Sequence, residues 1–308
     1  MNQISQPTES SWAQRNGFAP WLMAVIWIIS ALILFQVVAG IVAIAIAIIQ
    51  HPGGLDSFNP SIITENLDVL FIGNSFGQIV FLGYGTWLFA KTSARHNRAR
   101  EVFKLQWLEG TGKFILLAIG LIVVIQPVIM FLSWINLQFP FPDKLLAFEE
   151  AQDQLLQNYL TGPNFLPLVL FHVAVVPAIC EEIMYRGYIQ TMFRRSMPVW
   201  AALALTGIIF GLYHVRMTQV IPLSVIGILL AYLTYASKSL YPAIAAHFVN
   251  NAGSVVAAFY YPEVMFSTEA TEVMPPWELL IPGFILTGIL LFWLKKLSQN
   301  SGGHYVQE

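Results

Sequence analysis

Long uninterrupted apolar runs are the feature that most restricts the fold of this chain. The run 20–49 contains no charged side chain, and a helix needs about 20 apolar residues to cross a bilayer. Hydrophobic residues make up 56% of the chain and charged residues 10%, whereas a soluble domain is about 25% charged. No run alternates apolar and polar residues over a strand's length, so we predict an all-α, polytopic transmembrane helical bundle. Eight segments are predicted to span the membrane: 20–49, 67–90, 112–135, 163–192, 198–215, 218–237, 240–262 and 276–296.

Charge and cysteine content exclude several other classes of protein. The formal net charge is −2, and no long basic cluster is present, which argues against nucleic acid as a partner. Cys180 is the single cysteine of the chain, so an internal disulfide and a CxxC metal site are both ruled out.

The distribution of Lys and Arg predicts the orientation of the bundle. Basic residues concentrate in alternate connections and at the last helix end: Lys91, Arg95, Arg98, Arg100, Lys104, Lys113, Arg194, Arg195, Lys238, Lys295 and Lys296. The opposite connections are acidic instead, as at Asp143, Glu149 and Glu150. The positive-inside rule therefore predicts both termini in the cytoplasm, and the plasma (inner) membrane as the location if the source is bacterial.

Six parts follow from these patterns. The predicted parts are a polar N-terminal tail (1–19), three transmembrane helices (20–135), a loop with an amphipathic helix (136–162), a polar-residue-bearing membrane core (163–262), a last transmembrane helix (276–296) and a C-terminal tail (297–308). The run 20–49 is twice as long as the 7–15 apolar residues of a signal peptide, so we interpret it as a retained helix. Segment 143–160 has helical apolar spacing with many polar residues, which is typical of an interfacial helix.

Two adjacent carboxylates and a guanidinium occur in the fourth apolar segment, at Glu181, Glu182 and Arg186. An ionisable side chain near the bilayer midplane costs roughly 2.5–3.5 kcal/mol and usually has a function. Glu182 and Arg186 have the spacing and order of a helical ion pair. Glu181 points about 100° away from Glu182 on a helix, and we predict that it acts as a general base. The alternative for the pair is a purely structural contact between helices.

His214 ends the fifth segment, one helical turn after Phe210. Glu181 lies sixteen residues before Met197 and His214 lies sixteen residues after Pro198, in the turn that joins the two segments. If the two segments form an antiparallel pair, both side chains lie at the same depth in the membrane. Phe210 shares the face of His214 and is predicted to shield the imidazole.

His247 and Asn251 are four residues apart and share one face of the seventh segment. A His can shuttle protons or bind a metal, and an Asn amide can donate to a developing oxyanion. The alternative is interhelical hydrogen bonding, worth about 0.6 kcal/mol each. Counting from the start of this segment places His247 near the cytoplasmic side, whereas Glu181 and His214 count as far from it. A kink at Pro177 could reconcile the two depths.

The three motifs resemble those of a known family. Glu181-Glu182-Ile-Met-Tyr-Arg186, Phe210-Gly-Leu-Tyr-His214 and His247-Phe-Val-Asn-Asn251 follow the pattern EExxxR, FxxxH and HxxxN in the same order. This pattern is similar to that of the CPBP intramembrane proteases, also called the CaaX-protease or Abi family, which include the Ras-converting CaaX prenyl endopeptidase. The resemblance covers about 163–262.

The resemblance implies a membrane-embedded endopeptidase acting on a peptide or lipidated peptide. It implies that Glu181 and His214 activate water, that His247 and Asn251 stabilise the oxyanion, and that Glu182 with Arg186 maintains the architecture. The cofactor stays unknown: Glu181, His214 and His247 form an acceptable zinc shell, yet the same groups also suit a metal-free mechanism, which we prefer. The oligomeric state and the substrate are not indicated.

Two other functions use the same residues. A transporter could employ them as a proton or ion relay, although no inverted repeat is visible between the halves of the chain. A non-proteolytic membrane scaffold or immunity protein would need no catalysis at all.

Overall fold

The computed structural model describes residues 11–51, 59, 66–93, 102–163, 165–266 and 273–301. Within these ranges every regular element is a helix and no strand occurs. In chain order the helices are α1 (Trp12–Arg15), α2 (Pro20–Gln50), α3 (Leu67–Ser93), α4 (Thr111–Val124), α5 (Gln126–Leu137), α6 (Asp143–Thr161), α7 (Leu166–Arg194), α8 (Val199–Tyr213), α9 (Val220–Ser237), α10 (Tyr241–Tyr260), α11 (Pro262–Met265) and α12 (Trp277–Ser301). Three positions of the predicted basic connection, Arg95, Arg98 and Arg100, lie outside the described residues, as do most of the two predicted tails.

Five of the described helices are long and apolar enough to cross a membrane: α2, α3, α7, α9 with the 3₁₀ turn that precedes it, and α12. Helices α4 and α5 pass the same test together but are bent by 47°, at Pro127, whose ring removes a helical hydrogen bond. Helix α8 is shorter, and α10 is not in this group because His247 and two asparagines lower its hydropathy. The chain is thus an integral membrane protein with five or six spans by this criterion. The eight spans and the orientation of the termini remain predictions.

Small residues let α8 and α9 pack with their main chains in contact. A Cβ atom added to Gly207 would lie 2.4 Å from the backbone nitrogen of Ile228, and one added to Gly211 would lie 2.4 Å from the hydroxyl of Ser224. A Cβ atom added to Gly227 would likewise lie 2.7 Å from the carbonyl oxygen of Gly207. Close approach at small residues is how helices associate inside a membrane, and here it fixes the end of α8 that carries His214.

Helix α7 is not a regular α-helix along its length. Two π-helical stretches, Phe171–Val175 and Ile183–Ile189, flank the α-helical turn Val176–Glu182. Such wide turns inside α-helices often occur at functional sites. Pro177 lies near the start of the central turn, and the two carboxylates stand at its end, where the helix widens.

Candidate active site

Glu182 and Arg186 form the predicted ion pair in the centre of the bundle. Their side chains are both fully buried, and Nη1 of Arg186 donates to Oε1 of Glu182 at 2.7 Å. Nη2 of Arg186 donates to the carbonyl oxygen of Gly227 at 3.0 Å, which the glycine-mediated packing of α9 brings close. The guanidinium also lies 4.4 Å from the ring centroid of Phe210. A buried charge that is paired and hydrogen-bonded in this way is tolerated in an apolar interior.

His247 lies between the two carboxylates. Its Nδ1 is 2.9 Å from Oε1 of Glu182, and its Nε2 is 4.0 Å from Oε2 of Glu181. A carboxylate can only accept, so the Nδ1 nitrogen carries the proton in the bond to Glu182. Glu181, His247, Glu182 and Arg186 therefore form one row, in which Glu181 is 13% exposed and the other members are almost fully buried.

His247 lies beside Glu181, and the turn before α10 lies inside the bundle and not at its outer end. Ser239 and Leu240 are fully buried. The Leu240 amide donates to the carbonyl oxygen of Lys104 at 3.0 Å, and the Ser239 hydroxyl donates to that of Gln106 at 3.0 Å. Segment 102–110 thus covers the turn, α10 begins deeper than a count from the turn assumes, and His247 reaches the level of Glu181.

His214 is the C-cap residue of α8, and its imidazole is hydrogen-bonded to a backbone carbonyl of the same helix. Its Nδ1 lies 2.7 Å from the carbonyl oxygen of Phe210, which can only accept, so the neutral ring has its lone pair on Nε2. The Phe210 ring packs edge-to-face on both imidazoles, with centroid distances of 4.7 Å to His214 and 5.7 Å to His247. Within the described residues no hydrogen bond or ion pair joins Glu181 to His214. The partner of Glu181 is His247, and Phe210 links the two histidines.

Asn251 ties α10 to α7 at the proline. Pro177 has no N–H to donate to the carbonyl four residues before it, that of Val173. Nδ2 of Asn251 donates to this carbonyl oxygen at 3.0 Å. The amide of Asn250 donates in turn to Oδ1 of Asn251 at 3.2 Å. These two bonds fix which end of the Asn251 carboxamide is the donor, and its second N–H remains available.

Glu181, His214 and His247 are the three side chains of the predicted zinc shell. Among the described residues no group of three His, Cys, Asp or Glu side chains could hold a metal ion. Glu181 and His247 approach each other to 4.0 Å, and His214 makes no hydrogen bond or ion pair with either of them among the described residues. The three side chains are not assembled as metal ligands here, so the chemistry below is derived from the side chains alone.

An apolar cavity of about 450 Å³ lies between α3 and α7. Ile79, Gly83, Ile179, Cys180 and Ile183 are among its lining residues. The cavity thus lies against the face of α7 that carries Ile179, Cys180 and Ile183, and Glu181 and Glu182 are not among its lining residues.

Gly73-Asn74-Ser75-Phe76-Gly77 matches the GxSxG pattern of serine hydrolases. A Cβ at Gly73 would lie 2.4 Å from the carbonyl oxygen of Ala39, and one at Gly77 would lie 2.9 Å from that of Phe35, so both glycines serve the packing of α3 on α2. The Ser75 hydroxyl lies 2.6 Å from Nδ1 of His172, and both side chains are buried. The motif here forms contacts between helices.

Sequence reasoning missed several residues that support the site. Gln126, at the bend between α4 and α5, donates to Oδ1 of Asn250 at 3.2 Å and so continues the amide chain that ends at Asn251. Glu149 is 2% exposed and hydrogen-bonds the segment after His214. The available signals were a carboxamide inside an apolar run and an acid on the apolar face of an amphipathic helix.

Comparison with known proteins adds one match. Residues 163–253 match a family model described as "Type II CAAX prenyl endopeptidase Rce1-like". No curated protein and no solved structure matches the chain. The matched residues include all six predicted site residues and end soon after Asn251.

Proposed function

We propose that this relative of the CAAX protease family, related to it through residues 163–253, is an intramembrane endopeptidase. It hydrolyses a membrane-proximal peptide bond, near the C-terminus of a substrate or within a leader. The row in which His247 stands between Glu181 and Glu182 is the observation that carries the proposal. It places a partly accessible carboxylate opposite an imidazole whose other nitrogen is already fixed.

Glu181 serves as the general base. Its Oε2 is buried without a hydrogen-bond partner among the described residues, while the side chain as a whole is 13% exposed. A water between Oε2 and the imidazole Nε2, which are 4.0 Å apart, lies within hydrogen-bond distance of both. His214 can accept from the same water or from a second one through its Nε2 lone pair. General bases of this kind contribute about 10²–10⁴-fold to the rate.

His247 and Asn251 supply the donors for the oxyanion. With protons on both ring nitrogens, His247 donates from Nδ1 to Glu182 and has its Nε2–H available for the substrate oxygen. Asn251 uses one N–H on the Val173 carbonyl and has a second N–H available. Oxyanion donors fixed before the reaction are worth about 10²–10³-fold each.

The reaction balances with these groups. The water oxygen attacks the peptide carbonyl carbon while its proton passes to Glu181, and the carbonyl oxygen becomes the oxyanion. As the C–N bond breaks, the proton held by Glu181, or one relayed through His214, passes to the leaving amine. Glu182 and Arg186 do not exchange protons with the substrate; they hold His247 in place.

A lipidated peptide is the substrate that the surroundings favour. The cavity of about 450 Å³ between α3 and α7 is almost entirely apolar and reaches Cys180, which directly precedes Glu181. A lipid chain bound there would anchor a lipidated substrate against α7, the helix that carries Glu181.

Cleavage of quenched fluorescent peptides by purified protein tests the proposal. The panel contains prenylated and unprenylated peptides, and the proteins are wild type, Glu181→Gln, His214→Ala and the exposed control Glu278→Gln, each with and without chelator. We expect cleavage by wild type and Glu278→Gln, and a loss of at least about 100-fold in the other two. Equal activity of Glu181→Gln would refute the role of the base. A folded wild type that cleaves nothing would favour a scaffold or a transporter.

A further inference from the structure

The segment that follows His214 reverses the chain within a few residues. Helix α8 ends at Tyr213, and the 3₁₀ turn Met217–Gln219 leads into α9. Between them Val215 adopts φ +53°, a left-handed conformation that a β-branched residue keeps only when its surroundings hold it there. The position of His214 therefore depends on what grips the residues just after it.

Glu149 of α6 holds this segment through three hydrogen bonds. Its Oε1 accepts from the Met217 amide at 2.6 Å, and its Oε2 accepts from the Thr218 amide at 3.2 Å and from the Thr218 hydroxyl. Amides in the first turn of a helix have no partner within the helix, and a carboxylate is a strong acceptor for them. Glu149 is 2% exposed, so these bonds are shielded from competing water.

Two further contacts hold the same segment. Asn136 of α5 donates to the Met217 carbonyl oxygen at 2.9 Å and accepts from the Ile221 amide at 2.8 Å. The Arg216 guanidinium forms an ion pair with Asp153, one helical turn after Glu149 on α6. Residues 216–221 are thus gripped from α5 and α6.

Helix α6 is itself fixed in place. Tyr159 stacks on Phe71 of α3 with ring centroids 3.6 Å apart, and Tyr159 and Leu160 are buried. The acidic side chains that bind the turn after His214 are therefore carried by a helix, α6, that is itself fixed by packing.

We propose that Glu149 is a positioning residue for His214, an inference that rests on the function proposed above. By binding the Met217 and Thr218 amides, the Glu149 carboxylate fixes the turn and so sets the place and orientation of the imidazole. Glu149 lies outside the matched residues 163–253, which makes α6 a part of the catalytic apparatus contributed by the remainder of the chain. The same geometry explains why a carboxylate is buried on an otherwise ordinary amphipathic helix.

Glu149→Gln tests this inference, with Glu150→Gln as the matched control. Gln keeps one acceptor oxygen but turns an NH₂ towards one of the donors. Glu150 is the exposed neighbour on the same helix. Thr218→Val, with Thr218→Ser as its conservative partner, removes one donor and leaves Glu149 intact. Full-length protein in detergent is used throughout, below the unfolding temperature of every variant.

Three quantities are measured: kcat and KM on the best peptide, the pH profile of kcat, and hydrogen exchange of the 215–218 amides. We expect Glu149→Gln to lower kcat by roughly tenfold or more with KM unchanged, since a misplacement of 1 Å can cost about 100-fold. We also expect faster exchange at Met217 and Thr218 and a change in the pH profile of kcat. Thr218→Val should show the same pattern more weakly, while Thr218→Ser and Glu150→Gln should match wild type.

Other results would overturn the inference. Unchanged exchange and unchanged kcat in Glu149→Gln, with wild type active, would remove the positioning role and leave the proposed protease intact. A uniform loss of folded protein with an unchanged pH profile would show a structural role only. Absence of cleavage by wild type would remove the proposed function, and with it any catalytic meaning of the grip on the turn.

Discussion

The ion pair between Glu182 and Arg186 provides a quantitative test of the site's architecture. Both side chains are fully buried, and Oε1 of Glu182 accepts from Arg186 at 2.7 Å and from His247 at 2.9 Å. Removing one partner of a buried pair costs about 3–5 kcal/mol, because the other charge is left unpaired. At 1.4 kcal/mol per factor of ten this is roughly two to four orders of magnitude in the folding equilibrium. We expect that loss for Glu182→Leu and, separately, for Arg186→Met.

The double variant Glu182→Leu/Arg186→Met should lose much less unfolding free energy than the sum of the two single losses. With both charges gone, the main remaining penalty is the unpaired Nδ1 of His247, about 1–3 kcal/mol. The two single losses together would be about 6–10 kcal/mol if they were independent. The variant should nevertheless be inactive, because His247 has lost the carboxylate that orients it.

Equilibrium unfolding in mixed micelles measures the free energy of unfolding of wild type, the two single variants and the double variant. The partly exposed pair of Arg216 and Asp153 is the comparison, because an ion pair in contact with solvent contributes less than a buried one. Strictly additive losses in the double variant would refute the reasoning, because they would mean that the two charges do not stabilise each other. A double variant with full activity would refute the positioning of His247 by Glu182.

Three further outcomes follow from the structure. Ile179→Trp fills the cavity between α3 and α7 and should raise KM for a lipidated peptide by about tenfold, because burial of one large apolar group contributes about 1.5–3 kcal/mol. Ile208→Trp, at an equally exposed position outside the cavity, should leave KM unchanged. Gly207→Val should destabilise the protein by at least about 2 kcal/mol in thermal unfolding, because its Cβ meets the α9 backbone, whereas Gly253→Val, with open space around it, should cost less. Burial and a neighbouring arginine lower the pKa of Lys104 to about 7. The unfolded chain therefore binds more protons than the folded one between about pH 7 and pH 10.5, and the free energy of unfolding should rise with pH in that window. Lys104→Met should flatten this rise, and an unchanged slope would contradict the lowered pKa of Lys104.

Local spacing predicted the parts of the site that lie on one helix. Glu182 and Arg186 are four residues apart, and the pair forms as expected because a helix places such residues on one face. The separation of Glu181 from Glu182 has the same origin. The helical class and the apolar segments also follow from composition, because an apolar segment in a bilayer must satisfy its backbone internally.

Contacts between distant segments could not be predicted in this way. The level of His247 depends on how deeply Ser239 and Leu240 are buried under segment 102–110, which no periodicity records. Glu149 reads in the sequence as one more acid on an amphipathic helix, and only the turn after His214 gives it a role. Gly207 and Gly227 are simple to find, but the helix that each one faces is a property of the packed bundle.

Pro177 has a consequence for how the protein is built in the membrane. A carbonyl that lacks its donor in hydrocarbon is costly, and the Val173 carbonyl receives its donor from Asn251, on a helix synthesised later. Until α10 docks, the Val173 carbonyl lacks this hydrogen bond and the two carboxylates lack His247. The docking of α10 therefore supplies polar contacts to α7 and assembles the proposed site in the same step. A bundle with α10 misplaced is therefore expected to be unstable as well as inactive.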